Sequence, residues 1–372
     1  MTQRRRKRRP RIGLALAGGG PFGAIYEIGA LAALEDSIEG LSLTRLDCYV
    51  GVSAGAFLAA ALANGIPVHD VYRLFIAGGK GEGAIAPRLF KRPAWREYLR
   101  AAIERRVPTG LFGNEAIHRY LERVFTRRGR TNDFRRLQRA LYLVATDLDT
   151  GQSVSFGRPG HDGVAISRAV QASCALPGLF PPVTIDGRSY VDGALRKTLH
   201  ASEALDDGMD LLLCVNPIVP FDARHSARPV DLARGGLPVV LSQAFRAIIH
   251  SRMALGLSKY RALYRRSDVL LFEPPPGDSE VFFTSVFSYR GRRAVCEHAY
   301  ANTRRDLAMR ASELAPVLAR HGLRLRPEVI RRTAPMPLGA AKAIRRRGLR
   351  ESASELRDTL GQLRTWMAQK GA

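Results

Sequence analysis

The pattern of apolar and polar positions near the N-terminus repeats one arrangement twice. The apolar run Ile12 to Ala17 leads through glycines into a segment whose spacing predicts a helix beginning near Pro21. The apolar run Cys48 to Gly51 leads through Ser53 into an alanine-rich stretch, residues 54–64, that also has the pattern of a helix. Strand, turn and helix in immediate succession are typical of a mostly parallel sheet covered by helices, so the pattern predicts an α/β fold.

Further strands and a helix are predicted in the middle of the chain. Residues 140–156 contain two β-rich runs joined by a turn and are typical of a hairpin. Residues 162–176 have the pattern of a helix, which we expect Asp162 to cap. A short strand is predicted to end at Asp192, and the continuous apolar pattern of residues 210–217 indicates a buried parallel strand.

The remaining segments are less regular. Within residues 67–139, an amphipathic helix is predicted at 114–125. A long insertion between sheet strands either contacts substrate as a cover or forms a structural helical layer, and both interpretations stay open. Beyond Glu297 the pattern is helical, and residues 356–367 place four apolar side chains on one helical face, which is typical of packing against the same protein.

These patterns divide the chain into three parts. Residues 1–10 form a basic tail that we expect to be disordered, residues 11–300 form the main α/β domain, and residues 301–372 form a basic helical extension. Within the main domain, residues 67–139 are the helical insertion or cover.

Composition places a large positive charge on the two ends of the chain. The 372 residues carry a net charge of +24, and residues 1–11 alone contain seven Arg or Lys and no acid. Residues 320–350 contain ten Arg or Lys against Glu328. Such segments are solvated tails, contacts for an anionic lipid surface or non-specific contacts for nucleic acid, and composition does not choose between these.

The same composition indicates a globular chain. Its 46% hydrophobic content is enough for a sizeable core, and no apolar stretch reaches the roughly 18 residues that a spanning helix needs. The four cysteines have no metal-type spacing, so we interpret them as buried free thiols in a reducing compartment. The N-terminus imitates a twin-arginine signal, but its apolar part is too short. We therefore expect a cytoplasmic protein, peripheral at most on the inner face of the membrane.

Ser53 is the candidate nucleophile. It lies in Gly51-Val52-Ser53-Ala54-Gly55, between a predicted strand and a predicted helix. A serine at such a sharp turn projects its hydroxyl above the sheet, and the amides at the start of the helix point toward it.

The glycine turn Gly18-Gly19-Gly20-Pro21-Phe22-Gly23 has two interpretations. Its spacing also satisfies a dinucleotide fingerprint, but that site needs an acid at the end of the second strand, where this chain has Val52 and Ser53. A glycine turn at the start of a helix also presents amides to an anion. Beside a serine nucleophile, that anion is the oxyanion of acyl transfer.

Two hypotheses are open for the general base that takes the Ser53 proton. A triad can be drawn from Ser53, Asp192 and either His200 or His298, but neither histidine follows a predicted strand. Asp192, in contrast, ends a strand and is followed by Gly193, so its carboxylate can project at the same rim of the sheet as Ser53.

The ordered motifs resemble those of the patatin-like phospholipase family. They are the glycine turn, the Ser53 motif, "ASCALPGLFPP" and Asp192-Gly193-Ala194, and the resemblance is good over residues 11–220. It implies a three-layer α/β/α fold and a catalytic dyad in which Ser53 attacks an ester and Asp192 is the base. It also implies an oxyanion hole formed by the amides of Gly18, Gly19 and Gly20, with no metal or cofactor. Phe22 departs from the family, which usually has Arg or Lys there.

The resulting expectation is a phospholipase A type serine hydrolase of phospholipid or other long-chain acyl esters at a membrane surface. An anionic membrane is a further expected partner of the basic tails, and nucleic acid is not expected. Two alternatives remain: a carboxylesterase with a Ser-His-Asp triad, and a non-catalytic basic protein that binds membrane or nucleic acid.

Overall fold

A computed structural model describes residues 8–77, 113–226, 230–283, 291–332 and Met336. The strands are β1 Ile12–Leu16, β2 Ile38–Glu39, β3 Cys48–Val52, β4 Ala140–Asp147, β5 Ser153–Phe156, β6 Val183–Ile185, β7 Arg188–Asp192, β8 Leu211–Val215, β9 Asp268–Phe272 and β10 Arg324–Leu325.

The main sheet has a parallel centre and an antiparallel side. Its strand order is β6-β7-β4-β3-β1-β8-β9, and β5 also pairs with β4. Strands β4, β3, β1, β8 and β9 are parallel to one another, whereas β5, β6 and β7 pair antiparallel. The short strands β2 and β10 form a separate antiparallel pair. The expectation of a mostly parallel α/β sheet is confirmed.

Helices cover both faces of this sheet. They are α1 Gly20–Ser37, α2 Ala54–Ala63, α3 Val68–Tyr72, α4 Glu115–Phe125, α5 Ile166–Ser173, α6 Ser202–Asp206, α7 Leu237–Leu263, α8 Ser279–Phe283, α9 Arg292–Met309, α10 Ala311–Arg320 and α11 Pro327–Ile330. A π-helical turn, Arg73–Ala77, follows α3.

Alternating side chains of each central strand enter different cores. Leu14 and Leu16 of β1 pack in a core with α1, α2, α4, α5 and α9, while Ala15 packs on the opposite face. That second core includes Met253 and Tyr260 of α7. The sheet is therefore the middle layer of three, as predicted for an α/β/α fold.

A glycine lets α2 lie close to the sheet. A Cβ on Gly55 would come within 2.6 Å of the Leu16 carbonyl oxygen and 2.7 Å of the Ala17 carbonyl oxygen. Only a residue without a Cβ fits there, so the second glycine of the Ser53 motif brings the start of α2 against the end of β1.

The packing of α9 extends the folded body past residue 300. Helix α9 crosses α1 at Gly29, where an added Cβ would come within 2.1 Å of the Cys296 carbonyl oxygen. The predicted boundary between residues 300 and 301 falls inside this helix, whose side chains Tyr300 and Leu307 belong to the main core. The sequence showed the helix but not its partner.

The start of α5 differs from the prediction. Helix α5 begins at Ile166 with Ala165 as its N-cap residue, so the expected cap at Asp162 is wrong. The glycine Gly163 and two more residues separate that aspartate from the first turn. Most of the predicted insertion, residues 78–112, and the apolar stripe at 356–367 lie outside the described residues, whereas the predicted helix at 114–125 is confirmed as α4.

Among the residues that the structure describes, no helix is both long and apolar enough to span a bilayer.

The α1–α9 crossing generates a test of packing. We expect Gly29→Ala to destabilise the protein by about 1–3 kcal/mol, because the new methyl group overlaps the Cys296 carbonyl oxygen. Gly256→Ala in α7 is the matched control, because a Cβ there meets only the Tyr260 ring at 3.9 Å and alanine favours helix. Urea unfolding measures both. Equal stability of the Gly29→Ala protein and its parent would contradict the close crossing.

Candidate active site

Ser53 occupies the turn between β3 and α2 in a conformation that serine rarely adopts. Its φ is 52°, and it is one of two non-glycine residues in the described chain with positive φ. Such a conformation costs of order 1 kcal/mol or more and persists only where the surroundings hold it. The side chain is largely buried, with 8% exposure. This is the strand-turn-helix geometry that aims a hydroxyl away from the sheet.

The register of the sheet brings Asp192 level with Ser53. Val52, the last residue of β3, pairs with Val144 of β4, and the next residue of β4, Ala145, pairs with Asp192. Ser53 and Asp192 therefore flank β4 at about the same height, two strand spacings or about 10 Å apart in the backbone.

Asp192 is a buried carboxylate beside Ser53. It is 2% exposed. It accepts a hydrogen bond of 2.9 Å from the Ala194 N–H. Burial raises the pKa of Asp192 to about 6, and the neighbouring Ser53 hydroxyl and the Ala194 N–H oppose the rise. A carboxylate with this pKa is mostly ionised at neutral pH and is a stronger base than an exposed aspartate.

The glycine turn lies against Ser53 and Ala194. A Cβ on Gly18 would be 3.2 Å from the Cβ atoms of both Ser53 and Ala194. The Gly18 N–H donates to the Thr198 carbonyl at 3.3 Å, while Gly20 is the first residue of α1. The first amides of a helix have no acceptor within the helix, so the amides at the start of α1 can serve an anion.

Phe22, the departure from the family motif, is completely buried. It belongs to the main core together with Tyr26 of the same helix. The position that is usually basic in the family is therefore apolar packing behind the turn.

Three consecutive residues at the end of α5 hold both candidate catalytic residues. The Ser173 hydroxyl accepts the Ser53 N–H at 2.8 Å and donates to the Val144 carbonyl at 2.6 Å. The Cys174 thiol donates to the Ser53 carbonyl at 3.1 Å, and the Ala175 carbonyl accepts the Asp192 N–H at 3.0 Å.

We call residues 173–175 the brace. In the sequence, this stretch is recognisable only as part of the motif "ASCALPGLFPP", which indicates no role for it. A small polar residue before "CALPG" is the signal in the sequence, but its meaning depends on contacts with residues about 120 positions away.

The two candidate histidines make other contacts. His200 is 2% exposed and contacts the backbone of Gly193 and Lys197; burial lowers its pKa to about 4. His298 on α9 lies 2.7 Å from Asp278 and 3.0 Å from Glu280, and these carboxylates raise its pKa to about 9. Neither histidine is among the groups that shift the pKa of Asp192.

Within the described part of the chain, no group of three or more His, Cys, Asp or Glu side chains is arranged to hold a metal ion. The four cysteines are unpaired; Cys48, Cys214 and Cys296 are buried and Cys174 is partly buried.

Comparison with protein families matches residues 14–205 to the family model described as patatin-like phospholipase. That range contains the glycine turn, Ser53, the brace and Asp192.

Curated relatives share the same part of the chain. Uncharacterized NTE family proteins of Mycobacterium bovis and Mycobacterium tuberculosis are each 29% identical over 208 residues, which is 55% of this chain and 30% of theirs. A cGAMP-activated phospholipase of Pseudomonas aeruginosa is 27% identical over 192 residues, 49% of this chain and 52% of its own. The chain thus spans about a third of the mycobacterial relatives and about half of the Pseudomonas protein.

Two solved structures also align. VipD from Legionella pneumophila has a TM-score of 0.38 at 16% identity, covering 81% of this chain and 67% of that one. The type III effector protein ExoU has a TM-score of 0.33 at 16% identity, covering 79% and 53%.

The brace generates a test. Ser173→Ala removes the acceptor of the Ser53 N–H, and an unpaired buried donor costs about 1–3 kcal/mol. We expect lower stability and a lower kcat, because the turn that holds Ser53 loosens. Ser37→Ala is the matched control, since Ser37 is also fully buried but its hydroxyl has no hydrogen-bond partner. Urea unfolding and ester hydrolysis measure both variants, and equal effects would contradict a role of Ser173 in positioning Ser53.

Proposed function

Because this chain belongs to the patatin-like phospholipase family, we propose that it hydrolyses lipid carboxylic esters through an acyl-serine intermediate, with Ser53 as nucleophile and Asp192 as general base. The observation that carries the proposal is the pairing of Ser53, at positive φ, with a buried carboxylate whose pKa is raised to about 6. An acyl ester of a phospholipid, cut as by a phospholipase A, is the proposed substrate.

Acylation follows from this pairing. As the Ser53 oxygen bonds to the ester carbon, its proton passes to Asp192, which is ionised at neutral pH. The carbonyl π electrons move to the oxygen and form the oxyanion. When the tetrahedral intermediate collapses, the alcohol leaves with the proton from Asp192, and the acyl group stays on Ser53.

Deacylation uses the same groups in reverse. Asp192 takes a proton from a water molecule, and the water oxygen attacks the acyl carbon. Collapse then expels the Ser53 oxygen, which recovers the proton from Asp192, and the fatty acid is released. No second base is needed, so His200 and His298 have no step in this scheme.

The glycine turn supplies the oxyanion hole in the proposal. All three amides of Gly18, Gly19 and Gly20 are candidates, but the Gly18 N–H already donates to Thr198. Gly19 and Gly20 are therefore the main proposed donors, and the packing of Gly18 against Ser53 keeps them beside the nucleophile. One such donor typically contributes about 3 kcal/mol to the transition state.

We also propose a cytoplasmic location and contact of the basic tails with an anionic membrane. Arg8 pairs with Asp210 at 3.4 Å, and Arg9 pairs with Asp47 at 2.7 Å. These contacts hold the base of the N-terminal tail where β1 begins, at the edge of the sheet opposite Ser53. A membrane contact made by residues 1–7 would therefore act as a tether and would not present substrate.

The dyad generates the first functional test. We expect Ser53→Ala to abolish fatty acid release from a phospholipid and hydrolysis of a soluble p-nitrophenyl ester. Asp192→Asn should lower kcat by about 10²- to 10⁴-fold, because the amide cannot accept the proton. His200→Gln and His298→Gln are the controls and should retain most of the activity. A crippling histidine variant would favour the triad esterase.

The pH profile distinguishes the three candidate bases. A base must be deprotonated to act, so kcat/KM should fall about tenfold per pH unit below the pKa of that base and level off above it. Asp192 predicts a midpoint near pH 6, whereas His200 predicts one near 4 and His298 one near 9. A soluble ester measured across this range gives the profile, and a midpoint near 4 or 9 would contradict Asp192 as base.

A further inference from the structure

Helix α7 presents large apolar side chains to solvent. They are between 45% and 70% exposed and comprise Leu237, Val240, Leu241, Phe245, Ile248 and Leu255, which we call the outer face of α7. Single exposed apolar residues need no explanation, but a contiguous row of them marks a surface for a partner or a membrane.

The opposite side of α7 attaches the helix to the protein. Arg246, Met253 and Tyr260 follow one another at intervals of seven residues and are each at least 92% buried. The Arg246 guanidinium donates to the Val219 carbonyl at 3.2 Å and lies over the Phe282 ring. Because this side is directed inward, the apolar residues at the other side of the helix are directed outward.

The charged side chains of α7 and its flanking residues have one sign. Residues 232–267 contain no Asp or Glu, and they contain Arg234, Arg246, Arg252, Lys259, Arg261, Arg265 and Arg266. Two of these alternate with the apolar row, since Ile248, Arg252, Leu255 and Lys259 follow one another at helical spacings of four, three and four. Long cationic side chains with apolar stems can lie beside buried apolar groups while their charges remain at a polar boundary.

The outer face lies beside the candidate active site. The Gln243 side chain bonds to both backbone groups of Phe221, in the segment that follows β8 at the carboxyl edge of the sheet. The Arg252 guanidinium lies 3.5 Å from the carbonyl oxygen of Leu195. Leu195 is three residues after Asp192 and is itself 45% exposed, so the apolar surface continues to the turn that carries the proposed base.

We propose that the outer face of α7, together with Leu195, docks on the surface of an anionic phospholipid bilayer. The apolar side chains enter the boundary between headgroups and acyl chains, and Arg252 and Lys259 meet the lipid phosphates. This proposal rests on the proposed function, because it brings Ser53 to the surface that contains its substrate.

The charge pattern favours a bilayer over a second copy of the chain. Two outer faces packed against each other would bring Arg252 and Lys259 near the same cations of the other copy, with no acid in residues 232–267 of either to compensate. A bilayer that contains anionic lipid supplies the opposite charge over the whole face.

Vesicle flotation with the Ser53→Ala protein tests the docking without lipid turnover. The parent should bind vesicles of phosphatidylcholine and phosphatidylglycerol. The triple change Leu241→Ser, Phe245→Ser and Ile248→Ser should weaken that binding about tenfold or more, because three apolar contacts are lost. The double change Arg252→Gln and Lys259→Gln should weaken binding to these vesicles but not to pure phosphatidylcholine, as each cation near an anionic surface contributes.

The control carries the changes Leu148→Ser and Met309→Ser, two exposed apolar residues outside α7, and should bind like the parent. With Ser53 intact, the triple variant should hydrolyse a soluble ester like the wild type, which shows that it folds. Vesicle binding that is absent in the parent or unaltered in the triple variant overturns the proposal. The proposal is also overturned if the only effect of the triple change is to convert an oligomer to a monomer on gel filtration.

The two proposals can fail separately. If the wild type cleaves no ester but vesicle binding depends on the outer face, the proposed function fails and the docking surface stands. If hydrolysis depends on Ser53 but vesicle binding does not depend on the outer face, only the proposal of the docking surface fails.

Discussion

The left-handed backbone of Ser53 is the constraint on which the rest of the site depends. A φ of 52° is costly for a residue with a side chain, and neither β3 nor α2 alone imposes it. Gly55 allows α2 to begin directly against the end of β1, and the Ser173 hydroxyl takes up the Ser53 N–H that the turn leaves without a strand partner. The strain is therefore maintained by close packing on one side and hydrogen bonding on the other.

Burial of the Asp192 carboxylate also lowers the free energy of unfolding. A pKa raised from 3.8 to about 6 means that, above pH 6, burial of the charged form costs up to about 3 kcal/mol relative to the unfolded chain. The stability contribution of this group therefore falls as pH rises from about 4 to 6. A neutral residue at this position would increase the free energy of unfolding, but the proposed proton transfer from Ser53 requires the carboxylate. The Ala194 N–H offsets part of this cost because it donates a hydrogen bond to the carboxylate.

The fold places two positively charged regions, the N-terminal tail and α7, in different surroundings, although their composition does not distinguish them. Arg8 and Arg9 fix the N-terminal tail to acids at the amino edge of the sheet, whereas Leu195 and the part of α7 around Arg252 lie at the carboxyl edge with the proposed nucleophile. A basic region at the carboxyl edge can orient the site toward a surface. One at the opposite edge can raise the local concentration of the protein but does not determine which face meets the lipid.

The sequence by itself determined the features that depend on neighbouring residues. The alternation of apolar strands and helices predicted the parallel sheet, and Gly51 to Gly55 with Asp192-Gly193 indicated where the candidate catalytic side chains project. The brace could not be predicted, because Ser173 acquires its role only when sheet pairing brings it to Ser53 and Val144. The same holds for α7: its sequence is apolar on nearly every side, and only the tertiary structure decided that Met253 faces the core while Phe245 faces outward. Local patterns follow from backbone geometry over a few residues, whereas burial and long-range hydrogen bonds exist only after distant segments have packed together.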